Sequence, residues 1–302
     1  MTVGRETLLG ILLLLLGGLT VQPLAAIRFR GRRDGDGDAG VAERHAWLHL
    51  WLPVAPTWII AAWLGGWALR EPDPVHDRLD PWLLLASCLP FALVASRALF
   101  RAGWALLREP AGQPICTAGL LRPRIVFSPF LVPSLEDRQV RAAWEHEQAH
   151  VRHRDPLRIW LGQLAADLQW PWPGARDRFD HWLEMLEQAR DDEARQHGVS
   201  GADLAAAVVV TLKYASQDRH GTATSRPRLL VDAALGGNPQ ALERRIVRLL
   251  ANRSANVAPA PPETHRAWLP LMLACTLLTA VLLGALYGES ILHPMLAWTC
   301  LL

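Results

Sequence analysis

No pair among the four cysteines, Cys88, Cys116, Cys275 and Cys300, has the spacing of a metal clip. Neither a disulfide framework nor a cysteine-built zinc site is therefore expected. An excess of one charge sign is missing too: 31 Lys and Arg stand against 29 Asp and Glu, a net of +2. With no dense basic helix either, direct nucleic-acid binding is not indicated. The chain has no internal repeat of the solenoid kind. Asp34-Gly35-Asp36-Gly37-Asp38 resembles the opening of a calcium loop, but Ala39 and His45 stand where such a loop needs glycine and glutamate. It reads as a polar connector.

What the chain has in quantity is apolar residues, 51% of its 302, and they are bunched. Residues 7–27, 47–69, 81–100 and 268–287 are apolar runs, each near the ~20 residues a helix needs to cross a hydrocarbon core. The third carries Arg97 close enough to its end to snorkel. Four transmembrane helices are the resulting expectation. Arg28, Arg30, Arg32 and Arg33 follow the first run; Glu71, Asp73, Asp77 and Asp80 follow the second; Arg97, Arg101 and Arg108 close the third. By the positive-inside rule the N-terminus lies outside a bacterial-type inner membrane and the polar stretch faces the cytoplasm. Leu8 to Leu16 followed by Pro23-Leu24-Ala25-Ala26 would also suit a cleaved secretory signal, although the arginines after the run favour an anchor. The expected organisation is a membrane region at 1–104, a polar domain at 105–255, and an Ala-Pro-rich linker with a last span at 256–302.

The polar domain carries the chemistry. Residues 114–116 and 124–127 suit short strands, separated by turn residues around Gly119 and Pro123. Ser134 can cap a helix that runs to Asp155, where Pro156 interrupts it. On that helix lies His146-Glu147-Gln148-Ala149-His150. Side chains four apart share a helical face ~5–6 Å apart, so both imidazoles can reach one zinc ion. Glu147, next to the first imidazole, can hold a water and take its proton. A stripe of Phe179, Leu183, Leu186 and Arg190 marks a further helix over 176–196, and 157–170 reads as an interfacial or partly inserted helix.

Zinc needs a third protein ligand. His153 would recede along the helix already used, and Val151-Arg152 offers no glycine turn to bring it back, so it is expected to be solvated. Glu187 is the better candidate, with Asp191 one turn on to accept the outer N–H of a liganding histidine; Glu184, Asp192 and Glu193 are rivals on the same helix. A protease must also hold its peptide extended, and the edge formed by Arg124, Ile125, Val126 and Phe127 is the candidate substrate-binding strand.

These residues, together with Arg122-Pro123-Arg124-Ile125-Val126-Phe127-Ser128-Pro129, Trp170-Pro171-Trp172-Pro173 and Leu242-Glu243-Arg244-Arg245-Ile246, resemble the membrane metallopeptidases typified by the BlaR/MecR beta-lactam signal transducers. The resemblance implies a mainly α integral membrane protein with a gluzincin-type zinc protease domain containing a small β element. It also implies one zinc ion on His146, His150 and Glu187, with Glu147 catalytic and Asp191 supporting. By the same resemblance the role is transmembrane signalling, through cleavage of a protein such as a winged-helix transcriptional repressor, or of the chain itself. The alternative is a non-hydrolytic transducer or interaction protein that uses the zinc domain structurally. Two departures stand out. Such transducers carry a penicillin-binding sensor domain after the last span, and the sequence ends at Leu302, so beta-lactam sensing is not expected. They also often have a cysteine where this chain has Arg190, a difference expected to matter little.

Overall fold

The computed structural model describes residues 39–68, 70, 81–107, 115–127, 132–170, 174–218, 239–251 and 268–299. The expected first span at 7–27, the basic loop after it, the acidic loop 71–80 and the linker 256–264 lie outside these residues. The described chain is mainly helical: α1 (Ala39–Trp51), α2 (Ala55–Ala68), α3 (Pro81–Leu107), α4 (Asp137–His153), α5 (Asp155–Leu168), α6 (Gly174–Gln196), α7 (Gly201–Asp218), α8 (Pro239–Leu250) and α9 (Trp268–Thr299). Between α3 and α4 lies the small β element, an antiparallel hairpin of β1 (Ile115–Ala118) and β2 (Arg124–Phe127). Gly119, with φ of 99°, opens its turn, and a Cβ there would lie 2.7 Å from the Arg122 carbonyl oxygen.

The expectation of an integral membrane protein with four spans is overturned. Among the described residues no helix is long and apolar enough to cross a membrane. The second expected run breaks at a turn over residues 52–54, leaving α2 with 14 residues, or ~21 Å of helix against a ~30 Å core. The apolar course of α3 gives way at Arg97 and Arg101, which turn inward to Asp167 at 3.1 and 3.0 Å and do not snorkel outward. The multi-pass inner-membrane location expected from those spans is contradicted by the same finding.

Part of the apolar content is spent inside the helical assembly, while α3 and α9 leave Leu89, Leu93, Leu99, Leu278 and Leu282 exposed. Ala42, Ala46 and Leu50 of α1 pack with Ala165 and Ala166 of α5 and with Phe179, Trp182, Leu183, Met185 and Leu186 of α6. Gly162 lets α5 come this close: a Cβ there would sit 2.9 Å from Trp182 and 3.1 Å from Phe179. The α5 segment, expected at an interface, thus lies between α1, α3 and α6 with Gln163 and Asp167 buried. Burying a side chain such as Trp182 or Leu186 contributes roughly 1.5–3 kcal/mol. Two smaller clusters hold the hairpin and the C-terminal helices to α4. Leu135, Ala143 and Ala207 pack against Ile125, and Ala142 and Ala194 against Leu204 and Leu249. Separately, α9 lies along α2, with backbones brought into contact at Gly66 and Gly284.

Candidate metal centre

The α4 helix is capped by Glu136, not by Ser134, which lies in a short 3-10 turn; the Gln139 side chain accepts from the Glu136 N–H at 3.2 Å. It ends earlier than the proline alone dictates. Arg154 takes φ of 51° and ψ of 43°, a left-handed cap, and its N–H closes the last turn of α4. The chain then restarts as α5 at Asp155, with Pro156 in its first turn, where a missing N–H costs nothing.

His146 and His150 come off one buried face of α4, and Glu187 meets them from α6. His146 Nε2 lies 3.0 Å from His150 Nε2 and 3.4 Å from Glu187 Oε2, and His150 Nε2 lies 3.6 Å from Glu187 Oε1. Donors at zinc-ligand distance on a tetrahedron stand about 3.3 Å apart, so the three are spaced as ligands of one metal ion would be. Together they form a buried group able to hold a metal ion. None of the rivals enters it. Glu184 binds Arg244 at 2.9 Å, Asp192 binds Arg248 at 2.7 Å, and Glu193 is bound by Arg152 and His153. His153 is not part of this group, and it is not solvated either: its Nε2 meets Glu193 Oε2 at 2.7 Å.

Each imidazole has a carboxylate at its outer nitrogen. Asp191 Oδ1 lies 2.9 Å from His146 Nδ1, and Arg245 grips both Asp191 oxygens at 2.7 Å. Asp155 Oδ2 lies 2.9 Å from His150 Nδ1. Asp155 is in turn held by Arg190 at 2.5 and 2.9 Å and by Arg158 at 3.2 Å, and Arg158 also binds the buried Glu43 of α1. Arg190 therefore matters a great deal, against the expectation: it is 2% exposed and clamps the carboxylate behind a candidate ligand.

The electrostatics are those of a cation site. Burial pulls the His146 pKa down, but Asp191 and Glu187 beside it prevail and push it up to about 10. Burial likewise disfavours ionised Glu187, Asp191 and Asp155. Arg245 nonetheless holds the first two below the usual carboxylate range, and Arg190, with His150, holds Asp155 well below it. The surroundings that retain a proton on His146 would equally retain a metal cation.

Sequence reasoning missed Asp155, Arg190 and Arg245. Arg245 lies on α8 and joins Glu187 Oε2 at 2.9 Å to both oxygens of Asp191, its guanidinium also 3.5 Å from His146 Nε2. The sequence singled it out only within Leu242-Glu243-Arg244-Arg245-Ile246, with nothing to separate it from Arg244 beside it. The expected substrate strand does form β2, but Ile125 packs inward while Arg124 and Val126 are exposed. The hairpin residue joined to Glu147 is on β1 instead: Thr117 Oγ1 donates to Glu147 Oε2 at 2.7 Å.

No protein-family model, curated protein or solved structure matches the chain.

Proposed function

We propose that the chain is a zinc endopeptidase of the gluzincin type, with His146, His150 and Glu187 as ligands of one zinc ion and Glu147 as general base. The convergence of two imidazole nitrogens and one carboxylate at tetrahedral spacing, with Glu147 beside them and outside the ligand set, carries this reading. Two nitrogens and one oxygen suit zinc better than the all-oxygen preference of calcium or magnesium.

A bound zinc would polarise the scissile carbonyl and make water acidic enough to be deprotonated near neutral pH. Glu147 would take that proton on its carboxylate and deliver it to the leaving amide nitrogen. Asp155 and the Arg245-gripped Asp191 keep the imidazoles facing inward, and Arg245 keeps Glu187 ionised. The resemblance to the beta-lactam signal transducers favours a protein substrate, a winged-helix repressor or the chain itself, cleaved in signalling. The hairpin offers a strand edge for an extended peptide.

The test incubates the purified, zinc-loaded chain with an unfolded protein and alone. Proteolysis that is lost on chelation, restored by zinc and absent in Glu147→Gln is expected. Cleavage that survives in Glu147→Gln would exclude the mechanism, and no cleavage by any form would favour a structural use of the metal.

A further inference from the structure

The β hairpin presents one face to α4. Antiparallel pairing sets Thr117 directly opposite Ile125, so their side chains share that face. Ile125 uses it for packing, against Leu135, Ala143 and Val140. At the paired position the apolar pattern calls for another β-branched hydrocarbon, and valine would fill the same volume. The sequence has a hydroxyl there instead. Thr117 Oγ1 lies 2.7 Å from Glu147 Oε2 and 3.2 Å from the Glu147 carbonyl oxygen. A hydroxyl has one proton to give, and the nearer, carboxylate acceptor takes it in the stronger, charge-assisted bond.

We infer that Thr117 is a positioning residue for the general base: its hydroxyl fixes one oxygen of the Glu147 carboxylate and thereby orients the other. The inference rests on the peptidase reading above. A half-buried glutamate on an α helix otherwise chooses among several rotamers, and only a carboxylate aimed at the reacting water is productive. The tether also ties the base to the strand pair that would carry the peptide, so hairpin and base keep one mutual geometry. Thr117 touches neither metal nor water in this role; it acts through Glu147.

The isosteric change Thr117→Val removes the hydroxyl and keeps the shape. With zinc-loaded full-length protein, kcat should fall about 10- to 100-fold. KM, zinc stoichiometry and melting temperature should stay as in the wild type, and Thr117→Ser should restore kcat. The visible ligand-field bands of the cobalt(II)-loaded protein supply a readout independent of turnover. They should shift in Thr117→Val and return in Thr117→Ser. A Thr117→Val protein with wild-type kcat and wild-type bands would overturn the inference, as would a lowered melting temperature with kcat intact, the mark of a hydroxyl that merely fastens the hairpin. If the wild type cleaves nothing, the peptidase reading fails by itself and the cobalt bands alone decide the role of Thr117. If valine prevents folding, Thr117→Ala makes the same comparison.

Discussion

His150 and Asp155 are five residues apart on two different helices, and the left-handed turn at Arg154 between them brings Nδ1 and Oδ2 to 2.9 Å. The kink thus turns a sequence neighbour into the partner that fixes the orientation of a candidate ligand. Asp155→Asn keeps the shape but takes from the buried Arg190 the nearer of its two carboxylate partners, leaving only Glu193 at 3.4 Å. Breaking a buried pair from one side costs roughly 3–5 kcal/mol, and loss of a carboxylate behind a liganding histidine weakens metal binding about 10- to 100-fold. Urea denaturation and competition with a chelator measure the two effects separately; a variant equal to wild type in both would show that Asp155 has no such part.

Arg245 links Glu187 to Asp191 from α8, a helix remote in sequence from both. Arg245→Met should weaken zinc binding by at least about 10-fold, because two buried carboxylates then lose their common cation. Arg244→Met, whose partner Glu184 lies outside the metal group, should bind zinc normally. Equal affinities in the two variants would contradict the assignment.

Stability should depend on pH in a way set by His146. Its folded pKa is raised from 6.5 to about 10, so the metal-free protein has this contribution in full below pH 6.5 and loses it as pH rises through about 10. Glu187, Asp191 and Asp155 are lowered when folded; their contribution is present above the ordinary carboxylate range and is lost as pH falls below it. Zinc affinity should rise over the same alkaline window, since the metal replaces the His146 proton. Denaturation midpoints of metal-stripped protein that stay flat between pH 6.5 and 10 would count against the anionic setting of His146.

Gly201 begins α7, and a Cβ there would lie 2.2 Å from the Leu249 carbonyl oxygen of α8. Gly201→Ala must push the two helices apart, at about 1–3 kcal/mol, and α8 carries Arg245. Zinc affinity should fall together with stability in this variant, although the glycine touches no ligand. A stability loss with unchanged affinity would separate the packing of α8 from the metal group.

The metal group itself was legible in sequence because helical spacing fixes it: His146 and His150 share a face, and Glu187 with Asp191 repeats that spacing on a second amphipathic helix. Asp155 was not legible, since it was expected as the last residue of the histidine helix and only the left-handed Arg154 turns its carboxylate back. Arg245 and Thr117 are joined to the site by tertiary contact alone. The apolar runs misled for a physical reason. A stretch such as 47–52 can face lipid or a protein interior equally well, and here Trp47, Leu50 and Trp51 face Trp182 and its neighbours. In α3 the arginines pair with a buried aspartate on α5, while Leu89, Leu93, Leu99 and Phe100 stay exposed.

Metal content tests the central claim most directly. The purified full-length chain, dialysed against trace zinc and analysed by elemental mass spectrometry, should hold about one zinc per chain. Glu147→Gln and His153→Ala should hold the same, and Glu187→Ala should lose most of it, with affinity lower by at least about 10-fold. A wild-type chain that retains no metal, or a Glu187→Ala chain that retains a full equivalent while His153→Ala loses it, would contradict the account.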